Sequence, residues 1–173
     1  GDLSLVSDLS HGDDTRVLLD LLRDRPYTMD CGAGGTTFRF LLAWAAVQDG
    51  EEHVISGIQR LLQRPHDDLI LALKTLGADI EKVANGYRVR GRRMKGGHVH
   101  FDSPISSQYL SALVLVAPCF ENGLDLKWTG TRLSEPFVSM TLKMVDHFGV
   151  RPSLTMDGLT VPPGRYKRVP YTV

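Results

Sequence analysis

A repeat of about seventy residues constrains this chain more than any other feature. Thr36-Thr37 opens an apolar run, Phe38 to Val47, that closes at Asp49-Gly50. Ser106-Ser107 opens a matching run, Tyr109 to Pro118, that closes at Glu121-Asn122-Gly123. The two openings stand 70 positions apart. Self-similarity at a fixed period dictates architecture, because each copy must bury its apolar face against its neighbours. A short strand pattern follows each run, His53 to Ser56 and Leu124 to Trp128. Gly57 or Gly130 then leads through a linker to Pro65 or Pro136.

Behind each proline lies a second helical pattern. Leu69, Leu73 and Leu76 recur at helical spacing and end at Gly77; Val138, Leu142, Val145 and Phe148 do the same and end at Gly149. Proline at a helix start and glycine past its end is the expected asymmetry. Two strands close each unit: 79–83 with 87–90 around Asn85-Gly86, and 150–156 with 159–161 around Asp157-Gly158. Both dipeptides are strong hairpin turns. With leading strands at Thr28 to Cys31 and His98 to Asp102, the unit reads β-α-β-α-β-β.

The expected organisation is therefore one α/β domain over 1–173, with full repeats at 28–91 and 98–162 and part of a third at 1–25. In that third copy, Asp13-Asp14 caps a helix over Thr15 to Arg23. No low-complexity linker separates the copies. Phe40 to Val47 and Leu110 to Ala117 are apolar nearly all round, which predicts helices buried on every side. The strands are shorter and more polar, and suit sheets with one solvated face. Helices inside and sheets outside follow. The chain opens at Gly1 inside a patterned segment and stops at Val173 in an incipient strand, so both ends read as cuts through a larger protein.

Composition narrows the function. Of 173 residues, 42% are hydrophobic and 23% charged, and 20 Lys and Arg balance 20 Asp and Glu. Neutrality argues against a dedicated nucleic-acid binder. No apolar run suggests a membrane helix and no signal peptide pattern is seen, so a cytoplasmic location is expected. Cys31 and Cys119 lie far apart, without metal-ligand spacing, and read as reduced thiols.

Three segments can carry chemistry. Asp30 to Arg39 runs from a strand through Gly32, Gly34 and Gly35 into a buried helix, where free amides and the dipole favour an anion. A tight turn with Thr36 as N-cap is the plain alternative. Ser106-Ser107-Gln108 occupies the equivalent point of the next copy. Two hydroxyls can cradle a phosphate and an amide can donate to an oxygen, although one serine suffices for a cap. Arg60 offers a guanidinium fork for phosphate or carboxylate, or is an exposed loop arginine. Ser134, just before Pro136, holds the matching place in the next copy. His98 and His100 alternate on one strand face, and Arg88, Arg90, Arg92, Arg93 and Lys95 read as a solvated edge.

Together these segments resemble the EPSP synthase family. Gly32 to Arg39 resembles its Gly-x-x-Gly-Thr-x-x-Arg loop. Arg60 with Arg64-Pro65 resembles its Arg-x-x-x-Arg-Pro block, and Ser106 to Leu113 its Ser-Ser-Gln helix. Ser134 to Leu142 resembles its Ser-x-Pro-Tyr segment, and Pro163 to Tyr166 the stretch leading back across its hinge. The resemblance implies part of one lobe, an inside-out α/β barrel of three repeated units. It implies an enolpyruvyl transferase whose cleft closes on shikimate 3-phosphate and phosphoenolpyruvate, without metal or organic cofactor. Ser106, Ser107 and Ser134 would hold the shikimate phosphate. Gln108 would lie between the substrates. Gly35 and Arg60 would contact phosphoenolpyruvate.

The acid-base carboxylates belong to the family's other lobe, so no catalytic residue is expected in this chain and it is expected to be inactive alone. Ala33 stands where the family has asparagine and Phe137 where it has tyrosine. The family's Lys-Ser-x-x-x-Arg segment is not in the chain. UDP-N-acetylglucosamine 1-carboxyvinyltransferase is a neighbouring alternative, but its reactive-loop cysteine has no counterpart between Arg60 and Pro65. A module of the same fold that binds RNA or a ligand without catalysis is another, as is a purely structural lobe.

Overall fold

The computed structural model describes residues 3–102, 106–130, 135–155 and 158–173. The first repeat builds β2 (Thr28–Asp30), α2 (Gly35–Ala46), β3 (Glu52–Ser56), α3 (Gln59–Leu62), α4 (Asp67–Thr75), β4 (Asp79–Val83) and β5 (Gly86–Arg90). It is preceded by β1 (Val6–Ser7) and α1 (Asp13–Asp24). The second repeat builds β6 (Gly97–Asp102), α5 (Ser107–Val116), β7 (Leu124–Thr129), α6 (Glu135–His147), β8 (Ser153–Leu154) and β9 (Gly158–Val161), and β10 (Tyr171–Thr172) ends the chain.

The two four-stranded sheets share one topology. Their orders are β2-β3-β5-β4 and β6-β7-β9-β8. In each, the first pair is parallel and the other two pairs are antiparallel. β1 and β10 form a separate parallel pair, with Val6 opposite Tyr171 and Ser7 opposite Thr172. Among the described residues the three sheets do not join into a closed barrel.

The core lies where α2 and α5 pack together. Phe38, Leu41, Leu42, Tyr109, Leu110 and Leu113 are essentially inaccessible to solvent, as the unbroken apolarity of both helices requires. The sheets cover them with one face. On β6, Val99 and Phe101 point inward while His98, His100 and Asp102 stay exposed. The outer face of the first sheet carries ion pairs, Arg90–Glu52 at 2.9 Å and Arg92–Asp79 at 2.6 Å. Pairs this exposed contribute little each, and they account for the basic run after Arg88.

Several boundaries differ from expectation. Asp13 and Asp14 occupy the first turn of α1, whose N-cap is Gly12; there they favour the helix through its dipole rather than through a cap. Thr36 lies inside α2, whose N-cap is Gly34. The linker before Pro65 contains the single turn α3. The strand expected over 150–156 shrinks to β8, because the Val150 amide donates to the Val145 carbonyl at the helix exit and Pro152 has no N–H for a ladder. Asp157 lies outside the described residues. Gly86 does turn its hairpin: a Cβ there would meet the Ile55 carbonyl oxygen at 2.1 Å, so only glycine fits.

Candidate functional site

The bend after β2 is held by local hydrogen bonds. The Gly32 amide donates to Asp30 Oδ1 at 2.9 Å, and the Gly34 amide donates to the Cys31 carbonyl at 2.9 Å. The Gly32 carbonyl accepts from the Ile58 amide at 2.9 Å, which ties the bend to the arginine-bearing turn 57–65. No side chain caps the α2 N-terminus. At α5 the Ser106 hydroxyl does act as N-cap, accepting from the Gln108 amide at 3.2 Å.

Gln108 joins the two helix mouths. Its Oε1 accepts from Arg39 Nη1 at 2.5 Å, and its Nε2 donates to Thr36 Oγ1 at 2.9 Å. The Ser106-Ser107-Gln108 segment and the head of α2 therefore share one face of the molecule. The Arg39 guanidinium stacks over the Tyr109 ring at 5.4 Å from its centroid. A groove of about 360 Å³ opens beside this bridge, lined by Thr36, Ser106, Ser107 and Gln108, with Phe137 and Met140 of α6 opposite. The Ser111 and Thr141 hydroxyls, 2.8 Å apart, pin α5 to α6 beneath it. Phe137, at the position where a tyrosine hydroxyl would sit, is exposed.

Gly35 lies under two guanidinium groups. A Cβ there would stand 2.8 Å from Arg64 Nη1 and 3.5 Å from Arg39 Nη1. Among the described residues neither arginine pairs with a carboxylate. Arg60 projects from α3 as an exposed residue and is not part of the groove wall. Ser134 lies outside the described residues. The structure thus gathers Ser106, Ser107 and Gln108 with Thr36, sets Gly35 beside them under Arg39 and Arg64, and leaves Arg60 exposed outside the groove wall. Arg39 and Arg64 stood in the sequence motifs without an assigned role. Nothing in the sequence marked Thr36 as more than a cap.

Burial sets the titration of the groups around this site. Burial pushes the Cys31 thiol up to about 12, with Asp30 adding to the effect, so this cysteine is inert. His66 is buried at 1% exposure against the Phe38 ring, 4.5 Å between centroids. Burial lowers its pKa from the usual 6.5 most; its bond to the Leu61 backbone opposes this, and the Arg39 and Arg64 charges lower it further. A depressed folded-state pKa means that the unfolded chain takes up the proton first. His66 therefore contributes stability above about pH 6.5 that is lost as pH falls below it. Denaturant midpoints should drop as pH falls below 6.5 in the native chain, and the drop should shrink in His66→Phe. An identical pH profile for the two would contradict this.

Other features are less suited to chemistry. A cavity of about 660 Å³ lies between Leu115, Met144, Phe148 and the segment 166–169. It is mostly apolar and meets the groove only through Leu115 and Met144. His98 Nδ1 pairs with Asp125 at 2.8 Å and His100 Nε2 with Asp102 at 3.0 Å, so each histidine has its own carboxylate. Among the described residues no group of three metal-ligating side chains converges, and no helix is long and apolar enough to cross a membrane.

Comparison with known proteins agrees on one family. The sequence model described as EPSP synthase (3-phosphoshikimate 1-carboxyvinyltransferase) matches residues 4–169. A 3-phosphoshikimate 1-carboxyvinyltransferase of Bacteroides fragilis is 39% identical over 98% of this chain and 42% of its own length. One from Korarchaeum cryptofilum is 37% identical over 70% of the chain and 30% of its own length. The solved EPSP synthase of Acinetobacter baumannii superposes with a TM-score of 0.78 over 97% of this chain and 43% of that one, at 20% identity, a likeness of fold. The chain spans less than half the length of these relatives.

Proposed function

This chain belongs to the EPSP synthase (3-phosphoshikimate 1-carboxyvinyltransferase) family, and we propose that it supplies one side of the substrate cleft of an enzyme transferring the enolpyruvyl group of phosphoenolpyruvate to the 5-hydroxyl of shikimate 3-phosphate. One domain of repeated units, with a second lobe completing the cleft, is the organisation this reading requires. The observation that carries it is Gln108 bridging Thr36 and Arg39 at the mouths of α2 and α5. Two anionic substrates that must react together need two adjoining anion sites, and this bridge makes them adjoin.

In the proposed arrangement Ser106, Ser107 and Ser134 hold the shikimate phosphate through hydroxyls and helix amides. Gln108 lies between the substrates. Gly35 and Arg60 face phosphoenolpyruvate, Arg60 closing onto its phosphate from the rim. The methylene carbon of phosphoenolpyruvate takes a proton, the 5-hydroxyl adds to the resulting cationic carbon and loses its proton, and phosphate leaves as the enolpyruvyl double bond re-forms with loss of a proton from the methyl group. The general acid and base come from the other lobe, while fixed cations on this one stabilise the charge on the phosphate. Metal, organic cofactor and nucleic acid have no part in the proposal, and the enzyme is placed in the cytoplasm.

Arg60 offers the direct test. In the complete enzyme, Arg60→Ala should raise the KM for phosphoenolpyruvate by about tenfold to a hundredfold, the scale of one lost charge-assisted contact. Shikimate 3-phosphate affinity should stay within about twofold. Steady-state kinetics with each substrate varied in turn measures both, and equal losses for the two substrates would refute the assignment.

A further inference from the structure

We propose that His66 and Tyr109 are positioning residues that lock the arginine-bearing turn against the head of α2. The proposal rests on the reading of that turn as the phosphoenolpyruvate side of the cleft. The turn cannot hold itself. Its only helix, α3, has four residues, and one isolated turn lacks the propagation that stabilises a helix. Leu61 anchors it as a buried side chain, and the Ile58 amide ties its start to Gly32.

Its far end is held by two side chains, one from the residue that follows it and one from α5. His66 Nε2 donates to the Leu61 carbonyl at 3.0 Å, because a carbonyl only accepts and this nitrogen must therefore carry the proton. The Arg64 amide donates to the same carbonyl at 3.1 Å. Tyr109 Oη, from α5, donates to the Pro65 carbonyl at 2.6 Å. These bonds flank Arg64, whose guanidinium fills the space above Gly35.

The surroundings of both side chains fit a fixed scaffold rather than a mobile turn. His66 is buried against Phe38, with Leu69 and Leu73 of the following helix also inaccessible. The charged groups acting on it are Arg39, Arg64 and Asp67. A neutral imidazole beside two guanidinium groups avoids adding a third positive charge. Tyr109 is fully buried, carries the Arg39 cation on its ring face and follows Gln108 directly. It therefore joins the helix bearing the serine pair to the turn bearing the arginines.

The test uses the complete enzyme and the variants Tyr109→Phe, His66→Leu and His66→Gln. Phenylalanine removes one hydroxyl and little volume. Glutamine keeps an N–H able to reach the Leu61 carbonyl, and leucine does not. Tyr109→Phe and His66→Leu should raise the KM for phosphoenolpyruvate about fivefold to tenfold, the scale of one hydrogen bond. They should leave shikimate 3-phosphate affinity within about twofold. Amide hydrogen exchange at Gln63 and Arg64 should quicken in both, while Leu113 in α5 is unchanged, and His66→Gln should restore most of the loss. Unchanged exchange at Gln63 and Arg64, an unmoved KM, or equal losses for both substrates would overturn the proposal. If Arg60→Ala itself leaves phosphoenolpyruvate handling intact, the functional reading of the turn fails instead.

Discussion

Gln108→Ala in the complete enzyme is expected to lower kcat/KM about 10²- to 10³-fold. The amide makes two bonds at once, one to a guanidinium and one to a hydroxyl. A charge-assisted bond contributes about 1.5–3 kcal/mol and a neutral one about 1 kcal/mol. Together they amount to about 2.5–4 kcal/mol, or two to three powers of ten in rate. Truncation would free Arg39 to swing and would part the heads of α2 and α5. Gln108 is only half-buried, so the fold should survive, which a thermal melt verifies. Gln108→Glu separates the causes: a carboxylate keeps the bond to Arg39 but sets a negative charge where two anions must meet. It should be at least as damaging as alanine. Activity within about threefold of native in either variant would mean that Gln108 does not stand between the substrates.

The second large effect concerns the chain as it stands. Given both substrates at millimolar concentration, it should release no phosphate, a fall of at least about 10⁴-fold from the complete enzyme. Among the described residues the groove wall contains serine, threonine, glutamine and apolar side chains and no carboxylate. None of these described side chains takes up or delivers a proton near neutral pH, and the proposed transfer needs both events. Affinity for shikimate 3-phosphate should persist weakly, on the order of millimolar, because half a cleft orders the ligand without enclosing it. Amide shifts at Ser106 and Ser107 during titration would report it. Turnover by the chain alone would show that an acid-base group lies on this lobe.

Much of this was legible in the residues, for a definite reason. The repeat imposed the same strand order on both sheets, and Asn85-Gly86 marked its hairpin because glycine alone tolerates the approach of the Ile55 carbonyl. The buried helices announced themselves by their apolarity. What stayed hidden depended on partners distant in sequence. Four residues of α3 carry no period to detect. β8 lost its first half to the exit of α6, an outcome fixed by one amide of Val150. Gln108 could be named as a candidate, but its grip on Thr36 and Arg39 spans 72 and 69 positions. Arg60 was singled out while Arg64, four residues on, is the one lying over Gly35. Tyr109 opened an apolar run and His66 drew no reading; both are buried, and which carbonyls they hold depends on the packed fold.

The strand pairing within each sheet draws on one contiguous stretch of chain, Thr28 to Arg90 for one and Gly97 to Val161 for the other. Neither borrows a strand across the boundary. During synthesis the earlier sheet can complete its ladder while the later one is still inside the ribosome, which shortens the time that bare strand edges face other nascent chains. One pairing among the described residues must wait: Val6 and Ser7 meet Tyr171 and Thr172 only after both repeats have emerged.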